Sequence, residues 1–229
     1  LQPLHLHPSQ VPLKNSLGAL QPMRSYAQYL TPLIVVQAIF FAAVSAAFRS
    51  AIDALAGINR RFRAMPMAAL TPLSARMTAS MYRCVVALVV SLACGHVIGF
   101  RFHGSHWHTA GFIGLSLLIG ASLALAGDLI GAATRNPEAT APLLLVPQVT
   151  LGLASNGLQP VERFPSWIQP FVRDQPLSQS LNALRAFAGD STTAAPPVTW
   201  SVIGPALAWT VGMIVVFTVM HGRVAARRP

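Results

Sequence analysis

The stretch Asn59-Arg-Arg-Phe-Arg-Ala-Met-Pro-Met-Ala-Ala-Leu-Thr-Pro-Leu-Ser-Ala-Arg-Met-Thr-Ala-Ser-Met-Tyr-Arg83 lies between two long apolar runs, and its reading decides the fold. Arg60, Arg61 and Arg63 cluster within four residues, Pro66 and Pro72 follow, and Arg76 and Arg83 close the stretch. Lys and Arg are retained on the cytoplasmic side of a membrane, so an arginine cluster between membrane-length segments marks a cytoplasmic loop. Each proline removes an N–H donor and restricts the residue before it, which argues against one unbroken helix. The pattern predicts a short basic helix, a bend at Met65-Pro66, and a second helical start at Thr71-Pro72. A loop of this build suits docking onto a cytoplasmic partner. By charge alone it is also satisfied by an ordinary positive-inside loop.

Composition supports the membrane reading. Of 229 residues, 53% are hydrophobic and only 10% charged, with a mean hydropathy of +0.54. A soluble domain would carry roughly a quarter charged residues. The net charge of +10 invites a nucleic-acid reading, but the basic residues punctuate apolar segments instead of forming a face. Lys14 is the sole lysine, which excludes a P-loop ATPase, whose glycine-rich turn needs a lysine after it. Cys84 and Cys94 share one apolar segment, about 15 Å apart along a helix. They cannot pair.

Outward from the basic stretch, spans are predicted at about 30–48, 84–100, 109–132, 139–158 and 199–220, near the roughly 20 residues that cross a hydrocarbon core. Residues 1–29, with Pro3, Pro8, Pro12 and Pro22, read as an external loop and not as a signal peptide. Residues 49–77 are the cytosolic loop, and 221–229 the cytoplasmic tail. Asn136-Pro-Glu138 is a helix start, with a capping side chain, a proline for the first turn and a carboxylate for the positive dipole end. Glycines recur through 109–132, as close helix packing in lipid requires.

Residues 161–190 are too polar to span. Phe164-Pro-Ser-Trp-Ile-Gln-Pro-Phe171, with Trp167 and Pro170, reads as a wedge in the interface. From Pro176, Leu177, Leu181, Leu184 and Ala188 keep helical spacing, and Gly189 supplies the stop. Arg173, Asp174 and Arg185 are too costly to bury unpaired, which keeps this segment out of the bilayer. Basic residues number nine in the loops 49–76, 133–138 and 221–229, and six on the other side. The larger group is expected inside, the C-terminus with it, and residue 1 outside. An upstream span is therefore expected in a longer gene product.

Several blocks are recognisable together: Asn59-Arg-Arg-Phe-Arg-Ala-Met-Pro-Met67, Gly99-Phe-Arg-Phe-His103, Thr134-Arg-Asn-Pro-Glu138, Trp167-Ile-Gln-Pro-Phe-Val-Arg-Asp-Gln-Pro-Leu-Ser178 and Ala183-Leu-Arg-Ala-Phe-Ala-Gly-Asp190. In this order, from Tyr29 to Pro229, they resemble the daunorubicin/doxorubicin-resistance permeases, membrane subunits of type-2 ABC exporters, and in particular their mycobacterial, DrrB-like branch. The resemblance implies an all-α membrane protein of the cell (plasma) membrane with six spans, a coupling loop after the second, and short external helices before the last. Leu30–Phe48 then corresponds to the second span, leaving five here. It implies a transport subunit without catalysis: an ABC ATPase dimer binds ATP and Mg, closes, and pushes on a pair of permeases, homo- or heterodimeric. A hydrophobic drug or a complex lipid moves outward. No cofactor is bound by this chain, and nucleic acid is not a partner.

On that reading Arg60, Arg61 and Arg63 contact the ATPase, and Met65-Pro66-Met67 forms the apolar knob of the joint, since Met adapts to irregular grooves. Asp128, inside a span, is a polar site by default, with a structural pair to Arg135 or exposure at the interface as its plainer explanations. His103, His106 and His108, with His5 and His7, could approach a metal in number, but no carboxylate or thiol joins them in sequence. No metal site is expected. An integral membrane enzyme, built on those histidines and Asp128, is the rival reading, and a membrane anchor a third. An enzyme needs its candidates to converge.

Overall fold

The computed structural model of the chain describes residues 11–58, 71–134, 136–189 and 196–226, with side chains described only between Tyr26 and Arg223. Every regular element among them is helical: α1 (Val11–Leu55), α2 (Thr71–Ile98), α3 (His106–Thr134), α4 (Pro137–Leu153), a 3-10 turn (Val161–Arg163), α5 (Gln169–Asp174), α6 (Pro176–Ala188) and α7 (Trp200–Ala226). Four of these are long and apolar enough to cross a membrane: α1 from Tyr26 on, α2, α3, and α7 to Arg223.

Two expectations need correction. Residues 11–29 are not loop but the start of α1, which begins at Val11 and not at Leu30. Pro12 and Pro22 do not interrupt it, and Leu13, Leu17 and Leu20 recur at helical spacing. The span expected at 139–158 is the 17-residue α4. At 1.5 Å per residue it reaches about 26 Å, at the lower limit of the helix lengths that cross a hydrocarbon core. Pro142 and Pro147 lie inside it, and the chain turns at Ala154, whose N–H bonds back to the Thr150 carbonyl. Its start follows the local chemistry: the Asn136 side chain accepts from the N–H groups of Glu138 at 3.0 Å and Ala139 at 3.4 Å, with Pro137 next.

The bundle is built on α1 against α3. Gly127 and Gly131, four apart on α3, face the buried Ala43, Ala47 and Ala51 of α1. A Cβ on Gly127 would lie 2.9 Å from the Ala43 carbonyl oxygen, and one on Gly131 would run into the carbonyl of Ala47. Small residues at this spacing let backbones approach where lipid supplies no hydrophobic drive. Towards the other end of these helices, Phe100, Phe102 and Phe112 stack edge-on, with centroids 5.0 and 5.3 Å apart for the two T-shaped pairs.

The α2–α3 connection is fixed by Gln28, which donates to the Arg101 carbonyl at 2.7 Å and accepts from its N–H at 3.0 Å. Helix α6 lies over this end with Leu181 and Leu184 fully buried. Gly189 stops it in the left-handed conformation, φ 72°. A side chain there would also meet Gly104, 2.9 Å away.

Candidate functional site

The arginine-rich residues Arg60, Arg61 and Arg63, and Met65, Pro66 and Met67, lie outside the described residues. Their flanks are described. Helix α1 ends at Leu55, with Gly57 at φ 68° just beyond, and α2 begins at Thr71, where Thr-Pro predicts a helical start.

At the end of the bundle where this segment leaves and returns, Asp128 is 1% exposed. It stands near the C-terminus of α3. Arg76, in the second turn of α2, reaches both of its oxygens: Nε is 2.8 Å from Oδ1, and Nη2 donates to Oδ2 at 3.2 Å. His221, near the C-terminus of α7, places Nε2 3.0 Å from Oδ2. Its Nδ1 is 2.8 Å from the Phe217 carbonyl, so each ring nitrogen faces an oxygen. The Ser50 hydroxyl of α1 donates to the Asp128 backbone carbonyl at 2.9 Å. Four helices thus meet at one residue. Interfacial exposure of Asp128 is excluded, and its partners are Arg76 and His221; the partner expected from spacing, Arg135, lies outside the described residues.

The opposite end carries a second polar cluster, built on α6. Arg185 is only 8% exposed. The sequence argument was that such a charge is too costly to bury unpaired, and here it is buried with partners. Its cost is met without an acid: the guanidinium lies 3.8 Å from the Tyr29 ring centroid and donates to the carbonyls of Tyr29, Asn156 and Gly157 at 3.0–3.4 Å. Stacking and a planar fork of donors are what Arg offers and Lys does not. Burial pushes its pKa below the ordinary guanidinium value, and arginine stays cationic nonetheless. Tyr29 donates its own hydroxyl to the Asn156 carbonyl at 2.5 Å, and Asn156 donates to Asn182 at 2.6 Å. The start of the α1 span, the chain after α4, and α6 are locked together here.

Among the other predicted residues, Trp167 is 79% exposed and Pro170 is exposed in the first turn of α5, while Pro176 opens α6. Arg173 and Asp174 are exposed. His103, His106 and His108 lie at the α2–α3 turn, and His106 is 22 residues, about 33 Å of helix, from Asp128. The described candidates of the enzyme reading do not converge; His5 and His7 lie outside the described residues. Sequence reasoning missed the partnership of Arg76, His221 and Asp128, and that of Arg185 with Tyr29 and Asn156. Each is a polar residue within a few turns of a span end, a signal that a partner is needed, but the partner's identity depends on helix register.

The family model for ABC-2 family transporter proteins matches residues 3–221. The chain is similar to the doxorubicin resistance ABC transporter permease protein DrrB of Mycobacterium tuberculosis, 52% identical over 202 residues, covering 88% of this chain and 70% of that protein. It is 30% identical over 190 residues to the probable doxorubicin resistance permease DrrC of the same organism, covering 83% and 66%. The daunorubicin resistance permease DrrB1 of Streptomyces coeruleorubidus is 26% identical over 160 residues, covering 70% and 56%. No solved structure matches. With four apolar helices of membrane length and this match along nearly its whole length, the chain belongs to the ABC-2 family of transporter proteins, as a DrrB-like permease.

Proposed function

We propose that the chain is the membrane subunit of an exporter that moves a hydrophobic drug or a complex lipid outward, driven by a separate ABC ATPase dimer and working beside a second permease. The 59–70 segment is its joint to the ATPase, and both that segment and the C-terminus face the cytoplasm. One observation carries the reading. The ends of α1, α2, α3 and α7 gather at Asp128 on the side where residues 56–70 emerge, and α6 covers the other end. The bundle therefore has two unlike ends. One bears the arginine-rich connection and the tail with Arg223, Arg227 and Arg228, as a positive-inside protein requires.

The drug class comes from the relatives' names and the lipid alternative from the resemblance to the family; the apolar surface suits either. Leu143, Val146, Val149 and Leu153 on α4, and Val211, Val215, Val216 and Val219 on α7, are exposed on the bundle. In a membrane such surface meets lipid, a second permease, or a greasy substrate.

The test is co-expression of the full-length gene product with its ABC ATPase. An affinity tag on the permease should retain the ATPase, and cells carrying both should expel doxorubicin only while ATP is available. A permease that retains no ATPase in mild detergent, with efflux unaffected by ATP depletion, would overturn the reading.

A further inference from the structure

We propose that Arg76, Asp128 and His221 form the joint by which movement of the 56–70 segment reaches the rest of the bundle, which makes all three positioning residues for transport. The inference rests on the permease reading above. It starts from placement. Arg76 stands in the second turn of α2, the first described element after the arginine-rich stretch, so a push on that stretch arrives at Arg76 early. Its guanidinium grips the Asp128 carboxylate at two points, 2.8 and 3.2 Å. Two-point contact fixes orientation as well as distance. Asp128 hands the constraint to α7 through His221 at 3.0 Å, and its backbone carbonyl is held to α1 by Ser50 at 2.9 Å.

Stability alone does not explain this arrangement. Apolar residues of similar volume often serve a buried core as well as an ion cluster or better. A topology signal does not explain it either, since an arginine that only marks the cytoplasmic side need not be drawn onto a carboxylate 1% exposed. What an ion cluster adds is a connection that resists sliding. Helices packed through apolar and small residues can shear past one another, and α7 is held mainly by such contacts, on α3 and α6. The cluster pins its end to the helix that follows the driven segment.

The experiment uses the full-length permease with its ATPase in sealed vesicles, with doxorubicin as the probe, and reads drug moved per ATP hydrolysed. Asp128→Asn keeps the shape and removes the charge. ATPase retention and ATP hydrolysis should persist, while drug moved per ATP should fall about ten-fold, the factor that losing one charge-assisted hydrogen bond corresponds to. Arg76→Gln should lower the ratio similarly, and exchanging the pair, Arg76→Asp with Asp128→Arg, should restore part of it. A merely structural role would reduce transport and hydrolysis together, in proportion to the folded protein. That outcome, or a wild-type ratio in Asp128→Asn, overturns the joint. Should Asp128→Asn fail to accumulate, His221→Gln decides, because it leaves the Arg76 pair in place: a lowered ratio supports the joint and an unchanged one overturns it. Wild-type vesicles that hydrolyse ATP while moving neither doxorubicin nor a labelled lipid would overturn the permease reading itself, and the joint with it.

Discussion

Two buried charges show how single residues hold this fold, and they do so by different means. Asp128 is held by Arg76 and His221; Arg185 has carbonyls and an aromatic face. Removing one partner of a buried group leaves the rest to bear the desolvation cost. Replacing Arg185 by Met would leave the carbonyls of Asn156 and Gly157 without this donor, at a cost of about 1–3 kcal/mol. Lys would keep the charge but lose the fork and the stacking. Thermal unfolding in detergent should rank wild type above Arg185→Lys, and that above Arg185→Met; equal midpoints for all three would show that the buried guanidinium contributes nothing. Neither set of partners was legible in the sequence. Hydropathy flags a charge in the wrong place, but Arg185 meets Tyr29 across 156 positions and Asp128 meets His221 across 93. Only helix register brings them together.

At the scale of elements, local chemistry was the more legible. Asn136-Pro137 caps α4 and Gly189 stops α6, each because the backbone there needs what those residue types supply. Prolines misled where context outweighed them. Four in the first 29 residues suggested a loop, yet Pro12 and Pro22 lie within α1; within α4, two prolines accompany a helix of 17 residues. Of the recurring glycines of α3, read as packing residues, Gly120, Gly127 and Gly131 meet α1, whereas Gly114 faces open space. Gly131→Leu should force α1 and α3 apart, costing about 1–3 kcal/mol as overpacking does, whereas Gly114→Leu, with nothing within 4 Å of its Cβ position, should cost little. Comparing membrane level and unfolding midpoint for the two variants checks this. Equal effects would contradict the close approach at Gly127 and Gly131.

For the whole molecule, the account is one of two ends with different work. In a variant with Cys94 replaced, a cysteine at the exposed Arg173 should label with an impermeant reagent added to intact cells, and one at Asn182, hydrogen-bonded to Asn156, should resist it. Failure at Arg173 would invert the orientation. The central claim is that the opposite end takes up the force of ATP hydrolysis through Arg60, Arg61 and Arg63. Each exposed ion pair is worth only about 0–1 kcal/mol, so changing all three to Ala is the informative variant. Arg49 and Arg76 still hold the loop inside, and insertion should be normal. The direct measurement is the drug-export rate of the full-length triple variant, at a membrane level matched to wild type. The account expects export to be abolished and retention of the ATPase to be weakened; export at the wild-type rate would reduce the arginines to a topology signal and contradict it.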